Sequence, residues 1–370
     1  MKAIVIEGRG HAVIQRNAPE PSLRSGGYIL VKTLAVAVNP SDWKHVDFVL
    51  VGNPTGTRLG LDYAGVVMEV GEDVPTTADN GDRLRPGDRV FGICHGANVR
   101  YPEDGAFAEY LVAKACFAIR IPEGVSFSEA AAMGTGLAAV AQGLFQDLKL
   151  QLPGVLATTV QPQTPRRSWP ILIYGGSTAS GVMGLQFARL SGCTPIITTC
   201  SPQNFDYLKQ LGADFCFDYH DPDCGNKIRE LTNGRLRHAW DCITTLESAQ
   251  TCARALSPKL CSHYSSLLFI SSACIKRINP KVKCSTTIGY TILGEEFEKE
   301  TVVRERPEDF EFGKAFWKIA ESLLQDGMQF RPVRQIVNEG GSGLEGVLCG
   351  LDYLKRGKVS AAKLVYTMSK

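Results

Sequence analysis

Apolar and polar positions change rhythm along the chain. From Lys2 to about Gly134 they alternate in short runs broken by Gly and Pro, which predicts strands at 3–6, 13–16, 28–38, 64–70, 89–93 and 107–112. This first region reads as mostly β and barrel-like. Helical spacing then begins at Ser126-Phe-Ser128-Glu, with Ser128 as the expected N-cap, and continues over 137–150 beyond Gly134-Thr-Gly136. A domain junction belongs there. After 170, strand and helix alternate: 171–174, 195–199 and 215–218 read as strands with helices after them at 185–190, 205–211 and 226–232. Strand 239–243, helix 246–256 and strand 261–270 continue the rhythm, which predicts a parallel sheet covered by helices on both faces. A further strand at 284–293, a helix at 311–324 and a β-rich tail with strands at 331–337 and 361–366 complete the pattern. The tail is expected to return to the first domain. Segments 75–86, 97–105 and 152–170 read as surface loops.

One stretch anchors the second region. Ile171-Leu-Ile-Tyr runs into Gly175-Gly-Ser-Thr-Ala-Ser-Gly181-Val-Met-Gly184, and an apolar helical pattern follows. Glycines allow a tight bend and close approach of the backbone to a pyrophosphate, and the new helix presents free N–H groups to it. The spacing departs from G-x-G-x-x-G, so taken alone the turn also fits an ordinary βα loop.

Composition narrows the classes. With 370 residues and 44% hydrophobic content the chain is long enough for two domains, each with its own core. A net charge of +2, from 40 basic and 38 acidic residues, gives no bulk electrostatic case for nucleic acid or an anionic membrane. The first residues read as a strand, no window approaches a membrane span, and a cytoplasmic location is expected. The 12 cysteines are scattered from Cys94 to Cys349, which points to reduced and mostly buried thiols.

Candidate chemistry gathers at three places. Where a NAD-preferring fold carries Asp or Glu after its second strand, this chain has Thr198-Thr-Cys-Ser201-Pro-Gln-Asn204. No carboxylate there repels a 2′-phosphate, and Ser201 and Asn204 can donate to one at a capped helix start beginning with Pro202, so NADPH is favoured over NADH. Metal ligands in close spacing are missing: Cys94, His95 and Cys116 are too few and too spread, and His11, His45 and His263 have no evident partners, so no metal is expected. Val38-Asn-Pro40-Ser-Asp-Trp-Lys44 turns the chain after a strand, and Lys44 can reach a cleft from a short helix starting near Ser41. As a bare pattern it is a capped turn with a solvated lysine.

Taken together, Asn39-Pro-Ser-Asp-Trp-Lys44, Gly60-Leu-Asp62-Tyr-Ala-Gly65-Val-Val, Val70-Gly71, Gly87-Asp-Arg-Val90-Phe-Gly92, Gly105-Ala-Phe-Ala-Glu-Tyr110 and the Gly175 turn resemble the medium-chain dehydrogenase/reductase superfamily, in its zinc-free quinone oxidoreductase-like branch. Tyr174-Gly-Gly-Ser-Thr-Ala179, Cys200-Ser-Pro-Gln-Asn-Phe-Asp206, Phe217-Asp-Tyr219, His263-Tyr-Ser-Ser-Leu267 and Gly289-Tyr-Thr-Ile-Leu-Gly-Glu295 are similar to the trans-acting enoyl reductases that serve fungal polyketide synthases. The resemblance implies an α/β protein with a GroES-like, β-barrel-type catalytic domain over 1–137, a Rossmann domain with a doubly wound parallel sheet over 138–305, and a return to the first domain over 306–370.

The same resemblance implies NADPH held at Gly175, Gly176, Ser177, Thr178, Ala179 and Ser180, at Ser201 and Asn204, and at Tyr219, Leu267, Gly289 and Pro40. It gives Lys44 and Thr135 the contacts to substrate or nicotinamide. It further implies a monomer that receives an α,β-unsaturated acyl thioester on the acyl carrier domain of a separate polyketide synthase, with Arg166-Arg167, Lys276-Arg277, Lys281 and Lys283 as basic docking candidates. The sequence leaves two other readings: a quinone or enone oxidoreductase for small diffusible substrates, and a non-catalytic scaffold. It names no general acid.

Overall fold

The computed structural model describes residues 1–50, 52–74, 84–154, 169–299 and 301–368. They form two compact units: Met1–Thr135 together with Tyr290–Lys370, and Gly136–Gly289. The re-entry point is Tyr290 rather than 306, because the Tyr290 ring stacks on His95 of the first unit with centroids 4.1 Å apart.

The first unit opens with the antiparallel pair β1 (Ala3–Gly8) and β2 (His11–Gln15). Then come β3 (Tyr28–Ala37), helix α1 (Pro40–Val46), β4 (Asp62–Val70), β5 (Arg89–Ile93), β6 (Tyr110–Lys114) and the short β7 (Ala118–Arg120), which the alternation does not reveal. The strand expected at 107–112 starts later, since Ala108 makes only an isolated bridge to Ala3. Helix α2 (Phe127–Ala131) is capped by Ser126, not Ser128. The Ser126 hydroxyl accepts from Glu129 N–H while the Glu129 carboxylate accepts from Ser126 N–H, a reciprocal box that requires the acid three residues on. Helix α3 (Gly134–Val140) carries the chain into the second unit, where a π-helical turn over Ala141–Asp147 completes the helical passage.

The second unit is a parallel sheet built from β8 (Ile171–Tyr174), β9 (Ile196–Thr199), β10 (Phe215–Phe217), β11 (His238–Asp241), β12 (Ser262–Ser266) and β13 (Val282–Thr286), in the order β10-β9-β8-β11-β12-β13. Helices α4 (Ala179–Leu190), α5 (Phe205–Gln210), α6 (Cys224–Leu231), α7 (Leu246–Ala255) and α8 (Ser272–Lys276) connect them. Their inner residues make a core that includes Leu172, Ile197, Ile228, Cys252, Tyr264 and Val282. The strand expected over 284–293 ends at Thr286, and Gly289–Leu293 is a 3-10 turn.

After that turn the chain adds the small pair β14 (Phe297–Glu298) and β15 (Val302–Val303), helix α9 (Pro307–Gln325), β16 (Gln335–Val337), helix α10 (Gly343–Lys355) and β17 (Lys363–Thr367). Pro307 at the first helical position starts α9 ahead of the expected 311. Helix α10 adds to the expected β-rich tail a helix absent from the predicted elements: Leu344, Val347 and Leu351 repeat at helical spacing and are buried in the first unit's core. The main sheet of this unit runs β16-β17-β3-β4-β5-β7, with β6 also on β3. All 12 cysteines are free, and Cys116, Cys261 and Cys349 are exposed. Most of the excursion at 152–170, including Arg166-Arg167, lies outside the described residues, as does most of the loop at 75–86. No described helix is long and apolar enough to cross a membrane.

Candidate functional site

In the second unit the Gly-rich turn joins β8 to α4. Gly175 has a φ of +82°, which a side chain would strain, and a Cβ on Gly181 would stand 2.3 Å from the Gly175 carbonyl oxygen. Glycine is thus required twice for one tight bend. Thr178 caps α4: its hydroxyl accepts from Gly181 N–H at 2.9 Å and donates to the Gly175 carbonyl at 2.8 Å. That hydroxyl is committed to the turn. Gly176 N–H is likewise held, by the Thr199 carbonyl. Ala179 and Ser180, in the first turn of a twelve-residue helix, present N–H groups that no intrahelical carbonyl can reach, and they stand half-buried beside Ser177.

At the end of the neighbouring β9 the segment Ser201-Pro-Gln-Asn204 forms a short 3-10 turn, with Ser201 preceding Pro202. Asn204 is 6% exposed, and its Nδ2 donor has no hydrogen-bond partner. A buried amide N–H₂ left this way costs about 1–3 kcal/mol unless a ligand accepts from it. Tyr219 follows β10, is exposed and lies against the His220 ring. Leu267 follows β12, where its N–H donates to the Asp241 carbonyl, and Gly289 opens the turn after β13. Except for Pro40, the expected cofactor residues therefore all lie beyond the carboxyl ends of parallel strands, where open α/β sheets bind ligands.

In the first unit, Pro40 is the exposed first residue of α1 and Lys44 lies on its last turn. The Lys44 ammonium sits 5.7 Å over the Trp43 ring, pairs with no carboxylate among the described residues, and burial lowers its pKa. Thr135 is tied to a buried network. Its N–H and hydroxyl both donate to Asp62 Oδ1, at 2.6 and 2.7 Å. The other Asp62 oxygen accepts from Asn39 Nδ2 at 2.8 Å and from the Lys363 ammonium, which also donates to Asn39 Oδ1 at 3.0 Å. Because the Thr135 hydroxyl proton is given to Asp62, its oxygen is left as an acceptor. Asp42 on α1 closes the helix start by accepting from Asn39 N–H at 2.7 Å.

Two sets of residues escape the sequence reading. Lys363 is one: a lysine inside the apolar run Ala-Ala-Lys363-Leu-Val-Tyr is a readable signal, since a buried strand position needs a partner for its charge. The other is a cluster of His45, His95, Tyr290 and Lys299. His45 and His95 are buried, and burial, with Lys299 nearby, holds both imidazoles well below their usual range.

Residues 25–123 match the family described as the alcohol dehydrogenase GroES-like domain, and residues 179–303 that described as zinc-binding dehydrogenase. The trans-enoyl reductase resD of Aspergillus sclerotiorum is 43% identical over 99% of both chains. The trans-enoyl reductase TOXD of Cochliobolus carbonum is 43% identical over 82% of this chain and 93% of its own. The chain belongs to the fungal trans-enoyl reductases. This enoyl reductase is an oxidoreductase of the medium-chain dehydrogenase/reductase superfamily, with a GroES-like first unit and a Rossmann second unit of the kind that works with a nicotinamide cofactor. The crystal structure of the CurK enoyl reductase shares the fold, with a TM-score of 0.74 at 16% identity over 100% of this chain and 99% of that one. Among the described residues no group of three or more His, Cys, Asp or Glu is gathered as metal ligands.

Proposed function

We propose that this reductase uses NADPH to saturate the α,β double bond of an acyl thioester delivered by the acyl carrier domain of a separate polyketide synthase. The observation that carries the cofactor choice is the end of β9. A buried Asn204 donor without a partner, a serine at a turn start and no carboxylate between Thr198 and Asn204 suit a 2′-phosphate and give the ribose of NAD no carboxylate acceptor. The Gly175–Gly181 turn, too tight for a Cβ at Gly175, Gly176 or Gly181, suits the pyrophosphate. When bound, NADPH supplies the hydride for the β-carbon. The Ala179 and Ser180 amides hold phosphate, and Ser201 and Asn204 hold the 2′-phosphate. Lys44 orients the thioester, and the Thr135 oxygen accepts from the nicotinamide half of the cofactor.

The carrier domain is taken to be acidic, and Lys276, Arg277, Lys281 and Lys283 stand exposed together on α8 and around the edge strand β13. Lys283 on an edge strand, with Lys281 just before it, also opposes pairing with a second copy, which fits a monomer; the proposed enzyme works without bound metal, in the cytoplasm. The test is NADPH and NADH oxidation with crotonyl pantetheine thioester by wild type and Lys44→Ala. Turnover with NADPH, preferred over NADH by at least tenfold and weakened in the variant, is expected. Absence of turnover by the wild type overturns the reading. Equal use of small free enones favours a stand-alone oxidoreductase instead.

A further inference from the structure

Reduction of an enoyl thioester needs a proton at the α-carbon as well as a hydride at the β-carbon; the Thr135 hydroxyl proton is given to Asp62, and Lys44 is assigned to orienting the thioester. A second polar cluster lies in the same unit. The Lys299 ammonium is 3.2 Å from His45 Nε2 and sits over the Tyr290 ring, 4.3 Å from its centroid. His95 stacks on the other partner of that ring contact, at 4.1 Å, and Phe297 meets His95 and Tyr290 edge-on. Because His45 Nε2 accepts from Lys299, the neutral ring carries its proton on Nδ1. That atom, His95 Nε2 and the Tyr290 hydroxyl are all buried without a hydrogen-bond partner. Native interiors rarely leave three such atoms together.

We propose that Lys299 is the proton source for the α-carbon, held by His45 and Tyr290 within reach of a substrate bound along α1. The inference rests on the enoyl reductase reading above. His45 and Lys44 are consecutive on α1, so the residue that holds the ammonium and the residue assigned to the thioester leave the same helical turn about 100° apart, His45 inward and Lys44 half-buried. Burial above all, and then the fields of Asp42, Cys94 and Asp62, keep the Tyr290 phenol protonated, so the cluster lies within electrostatic range of the network that carries Thr135.

The groups facing Lys299 are His45 from α1, His95 beyond β5 and Tyr290 ahead of β14, with Arg24 acting on His95 from further away. Both imidazoles are held neutral, and the phenol is held protonated by burial. Burial lowers Lys299 to about 7, so it is the member of the cluster that gains and loses a proton near neutrality. With the hydride that a bound cofactor would supply placed on the β-carbon, the substrate is left as an enolate. The enolate electron pair takes a proton from Lys299 Nζ to form the α C–H bond, the ammonium becomes a neutral amine, and water restores its proton.

The experiment uses crotonyl pantetheine thioester and NADPH with wild type, Lys299→Met and Lys299→Arg. Wild-type kcat should fall as pH rises through about 7. Lys299→Met should lose this titration and about 10²–10³ in kcat, with KM changed less than threefold. Lys299→Arg should also lose the titration, since a guanidinium does not deprotonate in this range. In deuterated water the wild type should label one face of the α-carbon and Lys299→Met both faces, a change that a merely structural lysine would not produce. Independently of turnover, ¹³C-lysine NMR of the wild type should show Lys299 titrating near 7. An ordinary lysine titration, or a Lys299→Met enzyme with kcat within twofold and one-face labelling, overturns the proposal. A wild type without turnover overturns the enoyl reductase reading first and this assignment with it.

Discussion

Two polar clusters share helix α1 and differ in how their charges are settled. On the Asn39 side, Lys363, Asp62, Asn39 and Thr135 pass hydrogen bonds around a closed circuit in which both Asp62 oxygens are used. On the His45 side, Lys299 meets one imidazole nitrogen, and three neighbouring polar atoms have no partner. A closed buried circuit fixes geometry, since each member holds the next in place. An open one stores unspent hydrogen-bonding capacity and leaves an ammonium ready to change charge. Under the assignments proposed above, the contrast separates two tasks of a reductase: holding a cofactor contact still, and supplying a proton.

The closed circuit breaks most severely at its cation. Lys363 is 3% exposed and Asp62 fully buried, so Lys363→Met strands a carboxylate without its counter-charge. The expected loss is about 3–5 kcal/mol, read as a lowered urea midpoint. Adding Asp62→Asn to that variant should recover much of it, because the stranded charge is gone. A loss below about 1 kcal/mol from Lys363→Met alone would show that the circuit is not closed in solution.

A smaller effect is expected where the circuit meets the proposed site. Thr135→Val deletes the hydroxyl given to Asp62 but keeps the main-chain N–H, so it should cost about 1.5 kcal/mol of stability. The KM for NADPH should rise about tenfold, the factor that one hydrogen bond of about 1.4 kcal/mol represents. Thr135→Ser, which retains the hydroxyl, should leave both near wild type. If valine and serine behave alike, the threonine oxygen plays no part in holding the cofactor.

The two clusters also mark where the sequence stops being readable. The Gly175 turn, the Ser201 segment and the strand–helix alternation are local patterns, and each lies within a few residues of where its spacing predicts. The closed circuit joins Asp62 to a lysine 301 positions away, and the open cluster joins His45 to Lys299 across 254 positions. No periodicity encodes those pairings, although Asn39 and Asp62 already stood inside motifs of the family resemblance. Helix α10 was hidden for a different reason: its Gly-Ser start and the short strands around it read as a β tail, and only its packing on the first unit's core makes the helical spacing of Leu344, Val347 and Leu351 decisive.

The finest probe lies at Asp42, where the circuits meet. Its Oδ2 accepts from Asn39 N–H, and its Oδ1 is buried without a partner. Burial, the largest cause, together with nearby Asp62, raises its pKa to about 8 against the downward pull of the Asn39 N–H and Lys363. Between the ordinary carboxylate value and about 8 the folded protein therefore holds a proton that the unfolded chain releases. The sign follows: this contribution is complete in acid and is lost as pH rises through about 8. Asp42→Asn matches the protonated form in shape, can still accept from Asn39 N–H, and cannot ionise. The urea-derived stability of the variant relative to wild type should therefore improve by about 1.4 kcal/mol for each pH unit from 5 to 7, the value of one proton bound by only one of the two states. Parallel pH curves for the two proteins would mean that Asp42 is already ionised when folded, paired within the closed circuit instead of standing at its edge.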